Sequence, residues 1–147
     1  MTLTDITALT GLLIAIAALL WNIIRDISDR GNLKIDGMIG KIVPSSTNKN
    51  FFFLTISNIG RRPVMVKCAY GKFNKPDKDG KRLFVIVPEN LPKMLKEGEY
   101  IIENYALDSL NPNTKYIYIV DSCGRKYYLS RKRLKQLIKE NAEQKII

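Results

Sequence analysis

Two stretches of the chain interleave cations with aromatic rings. "AYGKFNKPDKDGKRLF" sets Lys72, Lys75, Lys78, Lys81 and Arg82 beside Tyr70, Phe73 and Phe84, and "GRKYYLSRKR" sets Arg125, Lys126, Arg131 and Arg133 beside Tyr127 and Tyr128. Cations neutralise phosphates and rings offer a face to planar bases, so the mixture suits an anionic, base-bearing ligand. A solvated hairpin and an alternating strand face have the same composition. Arg61 and Arg62 add a pair at the tip of "NIGRRP". The side chains expected to cluster at loop ends of the folded domain, and there to bind an anion, are Arg61, Arg62, Lys67, Arg125 and Lys126.

Other chemistry finds little support. The chain has 24 Lys and Arg against 14 Asp and Glu, a net charge of +10. That balance favours nucleic acid, nucleotides or acidic lipid headgroups as partners. Histidine is missing, which removes Ser–His and Cys–His catalysis and imidazole metal ligation. Gly11, Gly31, Gly37 and Gly40 fit no phosphate-loop spacing. Asp77 and Asp79 resemble the opening of a calcium loop, but Pro88 stands where its last carboxylate belongs. Asp121 and Ser122 read as turn-formers. Cys68 and Cys123 match no metal spacing; they are small core residues in a reducing compartment, or one disulfide in an exported domain. No catalytic residue, metal or cofactor is therefore expected.

The elements that place these residues begin with "TALTGLLIAIAALLWNII". From Ile6 to Ile24 there is no ionisable group. At ~1.5 Å per residue the run is ~28 Å long, close to one hydrocarbon thickness. Apolar residues surround the whole helix, and Trp21 near one end suits a membrane interface. A signal peptide needs a basic start, whereas Asp5 is the only charge before the run. A retained anchor is the expectation. Arg25, Arg30, Lys34 and Lys41 follow it and no cation precedes it, which predicts an outer N-terminus and a cytoplasmic C-terminal domain in a bacterial inner membrane. Ala8, Gly11, Ala15, Ala18 and Asn22 alternate spacings of three and four, a seam of small residues along one helix face. Such seams let helices approach closely in lipid, so a homo-oligomer is expected.

Beyond a short polar link the pattern alternates, and turn residues punctuate it. Seven strands are expected: Leu33–Val43, Phe51–Ser57, Val64–Phe73, Leu83–Val87, Glu99–Ala106, Lys115–Val120 and Lys126–Leu129. "PSSTNKN", "NIGRRP", "NKPDKDGK", "NLPKMLKEG", "SLNPNT" and "DSCG" separate them as turns. Short strands at this spacing predict an immunoglobulin-like antiparallel β-sandwich, without the Cys…Trp…Cys signature of true immunoglobulin domains. A C-terminal helix follows Ser130, with Leu134, Leu137, Ile138 and Ala142 as its apolar stripe and a basic opposite face. The expected layout is an N-terminal outer segment 1–5, a transmembrane helix 6–24, a link 25–32, a β-sandwich 33–130 and a basic amphipathic helix 131–147.

Within "ISNIGRRPVMV", Asn58 and Gly60 both tolerate positive φ and predict a tight reversal. Pro63 then enters the next strand where its missing N–H does no harm. The stretch resembles an N-x-G-x-R-P-V pattern of small bacterial single-pass membrane proteins with a cytoplasmic β-sandwich. "YIVDSCGRKYYL" resembles their closing hairpin, in which a D-S-x-G-R turn joins the last two strands. Both motifs are turn chemistry, so the resemblance implies a fold and no reaction.

The function expected is that of a non-enzymatic, membrane-anchored oligomer. Its basic sandwich would bind or sense an anionic partner at the inner membrane, either acidic lipid headgroups or a nucleotide. The alternative layout is similar to membrane-anchored cyclic-oligonucleotide effectors of antiviral defence, in which a small cytoplasmic domain binds a messenger and the helices disturb the membrane.

Overall fold

The computed structural model describes residues 3–43 and 49–144. The first two residues of the expected outer segment, residues 44–48 of the first expected turn and the last three of the C-terminal helix lie outside them.

Helix α1 spans Leu3–Ser28. Its stretch Thr4–Ile27 has a mean hydropathy of 2.1 and is 0% buried, so one helix is long and apolar enough to cross a membrane. The Thr7 hydroxyl donates to the Thr4 carbonyl oxygen at 2.9 Å and that of Thr10 to the Ile6 carbonyl oxygen at 3.0 Å. Hydroxyls satisfied within the helix are tolerated against hydrocarbon.

Eight strands follow among the described residues: β1 Leu33–Lys41, β2 Asn50–Asn58, β3 Val64–Phe73, β4 Leu83–Ile86, β5 Lys93–Leu95, β6 Tyr100–Tyr105, β7 Thr114–Asp121 and β8 Lys126–Tyr128. One sheet has the order β1-β2-β6; the other has β4-β3-β7-β8, with β5 also pairing β3. All pairs are antiparallel. The chain crosses between sheets after β2, β5 and β6, which makes this an immunoglobulin-like β-sandwich.

Strand β5 lies in "NLPKMLKEG", expected from the sequence to be a turn. Three residues are too few to show alternation. Its place comes from the pairing of Val64 with Leu95, whose side chain is fully buried.

Phe52, Leu54 and Ile56 of β2 share the core with Ile101 and Tyr105 of β6 and with Val66, Ala69, Ile117 and Ile119 of the other sheet. Each large apolar side chain so buried contributes ~1.5–3 kcal/mol. The β3–β7 register shifts between Val66 and Cys68, so β3 buries Val64 and Val66 before the bulge and Ala69 and Gly71 after it. Glu103 of β6 also points inward and is fully buried. Its carboxylate accepts the backbone N–H of Glu89 at 2.8 Å and of Asn90 at 2.9 Å, which ties the β4–β5 loop to the opposite sheet.

Helix α2, Arg131–Gln144, packs mainly on β1. Leu134 and Leu137 are buried and Ile138 half-buried, as the stripe predicts. Ala142 is exposed instead, and Asn141 takes the buried place. Its amide donates to the carbonyl oxygens of Leu110 and Leu107, at 3.0 and 3.3 Å, around the 3-10 turn Leu107–Ser109. The Leu107 carbonyl already accepts the Leu110 N–H at 2.9 Å, and the amide gives it a second donor and supplies one to Leu110, which a methyl group could not.

Candidate functional site at the helix–sandwich junction

The two arginine-bearing turns lie at the end of the sandwich where α1 enters. Their local chemistry explains why.

Positive φ is found among the described residues at Gly80, Gly98 and Gly124, not at Asn58 or Gly60. The first reversal is built by a side chain. Asn58, 1% exposed, donates from its amide to the carbonyl oxygens of Arg62 at 2.9 Å and Leu95 at 3.0 Å. Its side-chain oxygen accepts the Gly60 N–H at 3.0 Å. Glycine is needed at position 60 for another reason. A Cβ there would overlap the Arg30 carbonyl oxygen and the Asn32 nitrogen. The turn is thus pressed onto the residues that leave α1, and the Ile59 N–H donates to the Asn32 carbonyl oxygen at 2.9 Å.

The second turn uses the same device. Asp121, 3% exposed, accepts the backbone N–H groups of Cys123 and Arg125, both at 2.8 Å, while Gly124 takes φ +78. The Ser122 N–H donates to the Met65 carbonyl oxygen at 2.9 Å and fixes the turn to β3. The Tyr127 hydroxyl donates to Asp121 at 3.3 Å. Burial raises the Tyr127 phenol above its ordinary pKa; the Asp121 charge adds to the rise and Arg125 opposes it.

Arg62 and Arg125 consequently line one cavity of about 190 Å3, with Arg30 from the end of α1 as a third cation. Arg30 and Arg125 also line a neighbouring cavity of about 550 Å3, walled by Gly60 and Tyr127. Arg61 lies outside both and donates to Asp29 at 3.3 Å. Arg62 stands 3.8 Å from Asp26, which Arg30 also meets at 3.5 Å, and Arg25 reaches Asp29 at 3.9 Å. Four arginines share two carboxylates, so the junction stays positive. Exposed pairs of this kind contribute only ~0–1 kcal/mol each, and an arriving anion can displace them.

Of the five side chains expected to cluster, the structure brings Arg62 and Arg125 together, with Arg61 beside them. Lys67 is exposed at the β3 bulge and lines neither cavity. Lys126 lies on the outer face of its sheet, 5.7 Å from the Tyr118 ring centroid. Tyr70, Tyr118, Tyr128 and Tyr116 form a row of ring contacts there. Arg30 is the cation that sequence reasoning leaves out of the cluster. It marks orientation in the sequence, and no local pattern says that it folds onto two turns remote in the chain.

Cys123 is an exposed free thiol at the rim of the smaller cavity, and Cys68 is a half-buried one on β3. Among the described residues no group of three His, Cys, Asp or Glu side chains could hold a metal ion. The seam residues Ala8, Gly11, Ala15, Ala18 and Asn22 all lie on exposed α1. Comparison with known proteins finds no family model that matches the chain and no curated protein similar to it in sequence.

Proposed function

We propose that the chain is a non-enzymatic, membrane-anchored oligomer whose junction binds anionic lipid headgroups at the cytoplasmic face of a bacterial inner membrane. The observation that carries this reading is the convergence of Arg30, Arg62 and Arg125 on one cavity directly after α1. Thr4–Ile27 measures ~36 Å at ~1.5 Å per residue. This exceeds a ~30 Å hydrocarbon core, so the last turn of α1 with Arg25, and Arg30 just beyond it, reach headgroup level. A cavity of about 190 Å3 suits a phosphate group better than a whole nucleotide. Docking the turns onto the leaflet would fix the sandwich relative to α1, and the seam would fix how many copies gather.

The test is hydrogen exchange on the full chain in nanodiscs. Residues 59–62 and 122–125 should exchange more slowly in phosphatidylcholine with phosphatidylglycerol than in phosphatidylcholine alone. Arg62→Gln with Arg125→Gln should erase the difference. Equal exchange in both lipids would defeat the headgroup reading.

One observation favours the messenger alternative. A cavity of about 390 Å3 between α2 and the start of β7 is lined by Lys115, Arg131 and Lys135 and by no carboxylate, against apolar Leu134 and Ile138. Arg131 donates to the Tyr116 hydroxyl and lies 4.7 Å from that ring's centroid. Cyclic nucleotides added to phosphatidylcholine nanodiscs should then slow exchange in residues 114–116 and 131–138.

A further inference from the structure

A cleft of about 490 Å3 opens between the free edges of β4 and β6, and its chemistry is the reverse of the rest of the molecule. Asp77, Glu89 and Asp108 line it, and no Lys or Arg does. The chain as a whole carries a net charge of +10, so the cleft is locally of opposite sign. Its wall is apolar: Phe73 and Phe84 stack at 4.5 Å between centroids, and Val85 and Val87 stand exposed beside them.

The independent observation is Tyr105. This residue lines the cleft, is 5% exposed, and its hydroxyl has no hydrogen-bond partner among the described residues. A buried hydroxyl left unpaired destabilises the fold that holds it. Its ring packs beside Phe52, 6.2 Å between centroids, and the nearby Glu103, Glu89 and Cys68 side chains make no hydrogen bond to its hydroxyl. Asn104 faces the rim, where its amide can donate to the Glu89 carboxylate at 2.7 Å.

We infer that this cleft binds a small organic cation, an ammonium group on a compact apolar body. The carboxylates attract the charge, the phenylalanine faces hold it through their quadrupoles, and the Tyr105 oxygen accepts a hydrogen bond from it. The volume lies within the ~300–1,000 Å3 usual for small-ligand sites. The inference is independent of the arginine junction, which shares no residue with the cleft.

Calorimetric titration of the full chain in phosphatidylcholine nanodiscs tests it, with phenethylamine as probe, phenethyl alcohol as its neutral isostere and phenylpropionate as its anionic one. The amine is expected to bind saturably, at least about tenfold more tightly than the alcohol, with the acid weaker still. Tyr105→Phe should weaken amine binding yet raise the melting temperature of the unliganded protein, a pair of effects that a merely structural tyrosine would not give. Glu89→Gln should weaken the amine and leave the alcohol unchanged. No saturable amine binding, equal affinity for amine and alcohol, or undiminished binding by Tyr105→Phe would overturn the inference.

Discussion

The side-chain amide of Asn58 donates to the Arg62 carbonyl oxygen at 2.9 Å, so the residue that opens the first turn also holds the arginine that closes it. The same amide reaches Leu95 at 3.0 Å, and the side-chain oxygen accepts from Gly60. Replacing Asn58 by Ala removes three bonds to backbone groups at once, two of them buried. The expected cost is ~3 kcal/mol, or a melting temperature lower by roughly 10 °C for a domain of this size. Denaturant titration of the full chain checks it. A loss below about 1 kcal/mol would mean that the turn holds without the side chain.

Gly60→Ala acts on the other side of that turn. Its methyl would overlap backbone atoms of Arg30 and Asn32, which cannot rotate away as a flexible side chain would. The link must move off the turn, breaking the bond from the Ile59 N–H to the Asn32 carbonyl oxygen. Hydrogen exchange at Ile59 should accelerate at least about tenfold, while amides of the β2–β6 pairing keep their protection. Unchanged exchange at Ile59 would place the link elsewhere.

Glu103 closes the opposite side of the sandwich. Glu103→Ala leaves the Glu89 and Asn90 amides without their acceptor and opens a void, for an expected loss of ~3–5 kcal/mol. Glu103→Gln keeps one acceptor oxygen and should lose ~1–2 kcal/mol. Equal losses for the two variants would show that volume, not hydrogen bonding, sets the cost.

Tyr105 predicts a pH dependence. Burial first, then the negative charge of Glu103, holds its phenol well above the ordinary value of about 10. Stability is then insensitive to this group's titration below pH ~10 and falls progressively above it, because the unfolded chain ionises there and the folded one does not. Tyr105→Phe should flatten the fall in melting temperature above pH ~10. A smaller slope will persist, since burial also raises Tyr118, next to Tyr128 and Tyr70. An identical alkaline profile in the variant would contradict the assignment.

The seam on α1 is tested by bulk. Gly11→Leu with Ala15→Leu fills the face on which helices would meet, and crosslinking in membranes should yield less oligomer than wild type. Two substitutions on the opposite face, Leu9→Ile and Leu13→Ile, should leave the yield intact. Unchanged crosslinking in the first variant would remove the seam.

The fold was legible where elements were long. Alternation marked β2 and β3, and an uncharged run marked α1, because each repeats its signal over many residues. Strand β5 was hidden, since one buried leucine carries it. The site was half legible. Turn chemistry around Asn58, Gly60, Asp121 and Gly124 reads from residue types, though Asn58 acts through its side chain rather than its backbone angle. That the two turns share a cavity depends on β3 and β7 being neighbours, and Arg30 joins them only through the close approach of Gly60. Lys67 was misleading for a local reason: the bulge beside it reverses which residues of β3 face inward.

The central claim is that lipid surrounds α1 while the arginine junction meets the headgroups. Trp21 is the chain's single tryptophan, so fluorescence of the full protein reports its depth alone. With Thr4–Ile27 centred on the bilayer, Trp21 lies about 8 Å from the midplane, toward the junction and within the ~30 Å hydrocarbon core rather than at the interface its place near the end of the run suggests. In proteoliposomes of lipids brominated at successive acyl positions, quenching should peak for bromines near that depth and fade toward either side. Emission that no bromolipid quenches would put α1 outside the membrane and contradict the account.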